Sequence, residues 1–131
     1  MGHRLTNIQN QALTASLRSG ELGSLLQPLV KEIHLFDTFV AGTMNLKDPT
    51  VLQDLTCGQL LMLVRETNKF DENEIVILKE NGQRIGYIPR QDNLIFARLM
   101  DAGKSLRAKI NSLEVNPDFS KIAIGIYMVD V

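Results

Sequence analysis

One cysteine, two histidines and no tryptophan are all that 131 residues offer for thiol or soft-metal chemistry. Cys57 alone forms no disulfide within the chain, and with His3 and His34 it is too little for a zinc cluster. Charge of one sign is missing too: 14 Lys and Arg stand against 15 Asp and Glu, a formal net charge of −1. A strongly basic chain gathers phosphates through its overall field. Here a nucleic-acid site has to be a local patch or a shaped pocket. No apolar stretch approaches the roughly 20 residues that span a bilayer, and residues 1–10 hold no apolar run of the signal-peptide kind. No membrane partner is expected, and a reducing, cytoplasmic location is. The chain has no P-loop, no Gly-rich dinucleotide fingerprint and no His-Glu-x-x-His pair. No cofactor and no metal are therefore expected.

What is present is a 44% hydrophobic composition, enough to build one core. Residues 1–29 read as a helical extension. Ile8, Ala12, Leu13 and Leu17 recur at helical spacing up to Ser19-Gly20, and a second short helix over 21–27 stops at Pro28. From Val30 the apolar period moves towards two. Strands are expected over 33–40, 60–64, 75–78, 84–88, 106–115 and 121–129. Gly42 marks a turn or a close backbone approach, and Val51, Leu52 and Leu55 form one helical turn in the first long connection. Asn81-Gly82 is the strongest hairpin signal, since both residues tolerate positive φ. Asp92 is a good N-cap for a helix over 93–102, with Gly103 behind its end and Ile95 and Leu99 stacked on its apolar side. Residues 30–131 thus read as a mainly β domain. Its expected form is a small OB-like or SH3-like barrel of about six strands with one helix plugging a side.

Catalytic candidates are few. Cys57 becomes a nucleophile only with a base beside it, and His34 is its one partner; a Cys next to Gly58 at a strand start reads instead as a small buried residue. Asp71-Glu72-Asn73-Glu74 looks like the start of a calcium loop. The sixth and twelfth positions of that motif need Gly and Glu, and here they hold Val76 and Gly82. The segment over 65–75 stands out as a polar loop with one aromatic between two apolar strands. Two readings of it stand. In one, Asn68, Asp71 and Asn73 supply turn hydrogen bonds and Phe70 tucks under as a lid on the core. In the other, Phe70 offers a stacking face, while Asn68 and Asp71 offer polar groups to sugar or base edges. Arg107 and Lys109 lie on one face of a strand, either as a phosphate track or as a solvated face.

An ordered set of motifs carries a family resemblance over about residues 39–110. Val40-Ala41-Gly42 is followed by Gly58-Gln59-Leu60, Leu63-Val64-Arg65-Glu66 and Asn68-Lys69-Phe70-Asp71-Glu72-Asn73-Glu74-Ile75. Then come Gly82, Ile85-Gly86-Tyr87-Ile88-Pro89 and Leu99-Met100-Asp101-Ala102-Gly103. In this order the chain resembles the HIRAN domain. The resemblance implies an OB-like barrel that binds nucleic acid without catalysis and holds a single-stranded DNA end by its terminal nucleotide and free 3′-hydroxyl, in the setting of DNA repair or replication-fork processing. It implies roles for Asp71 as acceptor for that hydroxyl, Phe70 as stacking surface, Asn68 against base or sugar, and Arg90 on phosphate. Tyr87 would line the same groove, and Thr43 and Met44, just after the opening glycine, would border it.

The departures point to a second hypothesis. Met44-Asn45 stand where DNA-reading members of the family carry an arginine and an aromatic residue, Phe70 lacks a tyrosine hydroxyl, and Glu74 replaces a small residue beside the expected pocket. On that hypothesis the domain keeps its barrel and serves as a protein-interaction module. Its N-terminal segment then docks on a protein partner or pairs two copies as a homodimer.

Overall fold

The computed structural model describes residues 31–130. In chain order these are β1 (Lys31–Phe39), β2 (Leu60–Arg65), β3 (Ile75–Leu78), β4 (Arg84–Tyr87), α1 (Asn93–Asp101), β5 (Ser105–Val115) and β6 (Ser120–Asp130). Two 3-10 turns, Thr43–Asn45 and Pro49–Leu52, occupy the connection from β1 to β2. The strands form one antiparallel sheet of six in the order β1-β6-β5-β2-β3-β4. Two residues beyond the end of β1, Ala41 forms an isolated bridge to Tyr87 of β4, with N–H···O bonds of 2.8 and 3.0 Å. The helical extension expected over 1–29, with its docking or pairing role, lies outside the described residues.

Period-two patterning builds the core. Ile122, Ile124 and Ile126 of β6 face Leu106, Ala108 and Ile110 of β5, and Leu61 and Leu63 of β2 continue the same surface. Phe96 and Ala97 of α1 close over it. Each fully buried branched side chain contributes roughly 1.5–3 kcal/mol relative to exposure. Irregularities at His34/Phe36 and Ile110/Ser112 bend the long strands that would otherwise run flat.

Three local expectations are corrected. β2 is apolar on both faces, which suggested burial of both, but Met62 and Val64 are 45% exposed, because nothing among the described residues covers the outer face there. The helix turns a different side inward. Asn93, Phe96 and Ala97 are buried, while Leu94 and Ile95 face solvent, because Phe96 packs on Phe36 with ring centroids 5.7 Å apart. Asp92 does not cap the helix with its side chain; its Oδ2 instead accepts from Thr38 Oγ1 at 2.8 Å and ties the helix start to β1. The C-terminal end is as expected. Gly103 has φ +92°, its N–H bonds the Met100 carbonyl, and Lys104 N–H bonds the Leu99 carbonyl.

Candidate functional site

The β2–β3 loop is held from below by arginines. Arg65, the last residue of β2, donates from Nη1 to the Glu74 carbonyl (2.8 Å) and from Nη2 to the Glu72 carbonyl (3.1 Å). The same guanidinium grips Asp101 at the end of α1, with Nε to Oδ1 at 2.9 Å and Nη2 to Oδ2 at 3.2 Å. This fork holds the Asp101 carboxyl below its ordinary range. Asp101, 36 residues away, takes Arg65 because the helix end lies beside the strand end. Arg90 donates to the Phe70 carbonyl, and Arg98 donates to Asn73 Oδ1 at 3.2 Å. Three loop carbonyls, those of Phe70, Glu72 and Glu74, are thus engaged by planar guanidinium donors.

Within the loop, Asn68 Oδ1 accepts from both Phe70 N–H and Asp71 N–H at 2.8 Å, and its Nδ2 donates to Glu74 Oε2 at 3.0 Å. Its amide is largely spent on shaping the turn. Asp71 Oδ1 accepts from Asn73 N–H (3.0 Å), and its Oδ2 accepts from Asn93 Nδ2 (2.8 Å). The turn-hydrogen-bond reading thus holds for the side chains of Asn68 and Asp71, whereas Asn73 contributes its backbone N–H and turns its side chain to Arg98. The lid reading of Phe70 does not hold: its ring is 72% exposed, with Lys69 Nζ 5.2 Å from the centroid. Glu74, half-hidden behind the loop, has its carboxyl pushed up by burial first and by its hydrogen bond with Glu66 second; Arg84 opposes this weakly from 4.0 Å.

Above this frame lies an open depression of about 570 Å³ that brings together Asn68, Phe70, Asp71 and Arg90 with Asn93 and Leu94. Tyr87 is not in it. That ring lies over Gly42, which has φ +80° and no room for a Cβ against the ring, and lines a second depression of about 550 Å³ with Lys47, Val51 and Arg84. Thr43, which is buried, and Met44, which is 69% exposed, border a third of about 390 Å³ with Val115 and Phe119. The candidate residues therefore divide among three surfaces. Asn93, Arg65 and Arg98 were not foreseen as parts of the site. The one available signal was an amide in an apolar helical stripe.

The other sequence candidates resolve as follows. His34 Nε2 bonds Asp37 Oδ1 at 2.7 Å, which lowers the Asp37 carboxyl. Cys57 is exposed rather than buried, because it sits in the turn before β2, where Gly58 has φ +85°. Arg107 and Lys109 both pair with Glu32 on the outer face, so one carboxylate offsets part of that basic stretch. Among the described residues no group of three or more His, Cys, Asp or Glu converges on a metal position. No helix among them is long and apolar enough to cross a membrane.

The sequence model of the HIRAN domain matches residues 33–127. A crystal structure of a protein from Lactobacillus plantarum shares 25% identity with a TM-score of 0.73; the alignment covers 79% of this chain and 100% of that one. The crystal structure of the HIRAN domain of human HLTF shares 16% identity with a TM-score of 0.62, over 76% of this chain and 78% of that one. No curated protein matches the sequence. With a family match running from the start of β1 to within three residues of the end of β6, the chain belongs to the HIRAN domain family.

Proposed function

We propose that this chain is a nucleic-acid-binding module that takes the end of a single strand, foremost DNA with a free 3′-hydroxyl, in the depression beside the β2–β3 loop. The observation that carries this reading is the pairing of an outward Phe70 ring with a rigidly held Asp71 carboxylate. An aromatic presented to solvent on a braced loop is a stacking platform, and base stacking contributes roughly 1–3 kcal/mol without regard to sequence. A carboxylate accepts from a terminal hydroxyl and repels a terminal phosphate. Arg90 anchors the Phe70 carbonyl with one N–H and keeps others for phosphate. Asn68 acts as the loop's scaffold. Tyr87, between Lys47 and Arg84, offers a further nucleotide an aromatic and cationic surface, and Met44 lends an apolar one. The bridge between Ala41 and Tyr87 supports reading the sheet as a small OB-like barrel. Such a module suits repair or replication-fork processing and performs no catalysis itself.

The test is fluorescence anisotropy with labelled single strands ending in a 3′-hydroxyl or a 3′-phosphate, at two salt concentrations. The hydroxyl end should bind more tightly, with a shallow salt dependence, and Asp71→Ala should weaken that end by about tenfold while sparing the phosphate end. Equal loss on both ends would remove Asp71 from its assigned role. No binding to either end would shift attention to the uncharged depression around Met44, Val115 and Phe119 as a protein-contact surface. A nuclease-insensitive pull-down would then be the assay.

A further inference from the structure

One polar side chain at this depression is buried in the core-facing stripe of α1. Asn93 opens α1 and is 2% exposed. Together with Phe96, Ala97 and the partly buried Met100 it makes the stripe that faces the core. An apolar residue at 93 would add core surface, whereas a buried amide has to find partners or destabilise the fold. The partner it has found is Asp71. Asn93 Nδ2 donates to Oδ2 at 2.8 Å, while Asn73 N–H holds Oδ1 at 3.0 Å. Each carboxylate oxygen is thereby fixed by one protein donor. Of the roughly four lone-pair positions of the carboxylate, about two remain for a ligand. Rotation of the Asp71 side chain would break both bonds.

We propose that Asn93 is a positioning residue: it fixes the Asp71 carboxylate so that the unused lone pairs meet a hydroxyl donor, and it thereby sets the discrimination between hydroxyl and phosphate ends. This rests on the reading of Asp71 as the hydroxyl acceptor. Asn93 touches no ligand in this role; it acts through Asp71, as a supporting residue does in a preorganised site.

Asn93→Asp is the sharpest probe. It keeps the shape and replaces the donor with an oxygen facing Asp71 Oδ2. Near neutral pH two carboxylates at that spacing repel, and in acid one shared proton restores the hydrogen bond. Full-length variant and wild type are compared by anisotropy on both strand ends near neutral pH and at about pH 5. Hydrogen exchange of the Asn73 amide is followed in the absence of DNA. The expected result is a loss of about tenfold on the hydroxyl end near neutral pH with recovery in acid. Because the added charge also repels the phosphate end, the uncharged Asn93→Ser is run beside it and should lose affinity on the hydroxyl end alone. Asn73 exchange should quicken in Asn93→Asp. A folded variant with wild-type discrimination and wild-type Asn73 protection overturns the proposal. So does equal loss on both ends in Asn93→Ser, which would make Asn93 structural only. If wild type itself ignores the 3′ group, the reading of the site fails, and Asn73 exchange decides the positioning role alone. If melting shows that Asn93→Asp unfolds, Asn93→Ser, with a shorter donor, gives the comparison alone.

Discussion

Lys79 shows how much a single residue can hide from the sequence. It follows the apolar run Ile75–Leu78 and reads as the first polar residue of a hairpin. In the fold it is 4% exposed, with Nζ donating to the Val51 carbonyl (3.0 Å) and to Asp54 Oδ1 (2.8 Å). Its ammonium pins the Pro49–Leu52 turn and holds the Asp54 carboxyl below its ordinary range. A buried charge is tolerated only when paired and hydrogen-bonded. Lys79→Met leaves the Val51 carbonyl unsatisfied and should lower stability by about 1–3 kcal/mol in urea unfolding. Asp54→Asn keeps an acceptor but leaves the buried Lys79 ammonium without its counter-charge, so it too should lower stability. Nothing in one sequence distinguishes this lysine from a surface one, because its partners lie 25 and 28 residues away.

At the scale of elements, the hairpin from β3 to β4 was legible in place but not in type. Asn81-Gly82 invites a two-residue loop with both residues at positive φ. Only Gly82 adopts it, at +91°. Gly82 N–H bonds the Lys79 carbonyl and Lys79 N–H bonds the Gln83 carbonyl, which is a three-residue loop ending in a left-handed glycine. Asn81 spends its side chain on the Gln83 N–H instead. A Cβ at Gly82 meets nothing within 4 Å, so Gly82→Ala should cost only the backbone term, about 1–2 kcal/mol. Gly42→Ala adds overlap with the Tyr87 ring to a similar φ and should melt distinctly lower. Thermal melts of the two variants side by side test this. The helix shows the opposite case. Its residues Leu94, Ile95, Phe96, Ala97, Leu99 and Met100 are apolar around most of the circumference, so periodicity alone left its inward face undetermined. Thr38 on Asp92 and Phe36 on Phe96 decided it.

For the whole molecule, pH acts through opposing carboxyls. Asp101 is lowered by Arg65, Asp37 by His34, and Glu32 by Lys109. Their contribution to stability is complete above the ordinary carboxyl range and is lost as pH falls through the lowered folded values. Glu74 runs the other way. Its raised folded value favours the protonated form, so its ionisation weakens the fold above that value and the penalty fades as pH falls through it. Glu74→Gln keeps an acceptor for Asn68 and removes the charge. It should stabilise the protein near neutral pH, with the gain shrinking towards the ordinary Glu range of about 4.3. Urea midpoints measured across that range check the sign.

Alternation and turn chemistry determined the six strands, their order along the chain, the helix and its glycine stop, and the ordered motifs determined the family. Those are local properties: a period of two, a positive φ and a run of residue types are written in neighbours. The braced loop with Phe70 turned outward, the burial of Lys79, and the separation of Tyr87 and Met44 from Asp71 came only with the tertiary structure. Each rests on partners far apart in sequence: Arg65 with Asp101, Arg90 with Phe70, Asn93 with Asp71. Such pairs form only after β2, β3 and β4 have joined into the sheet and α1 has packed against it, and no local pattern encodes which distant donor will reach which acceptor.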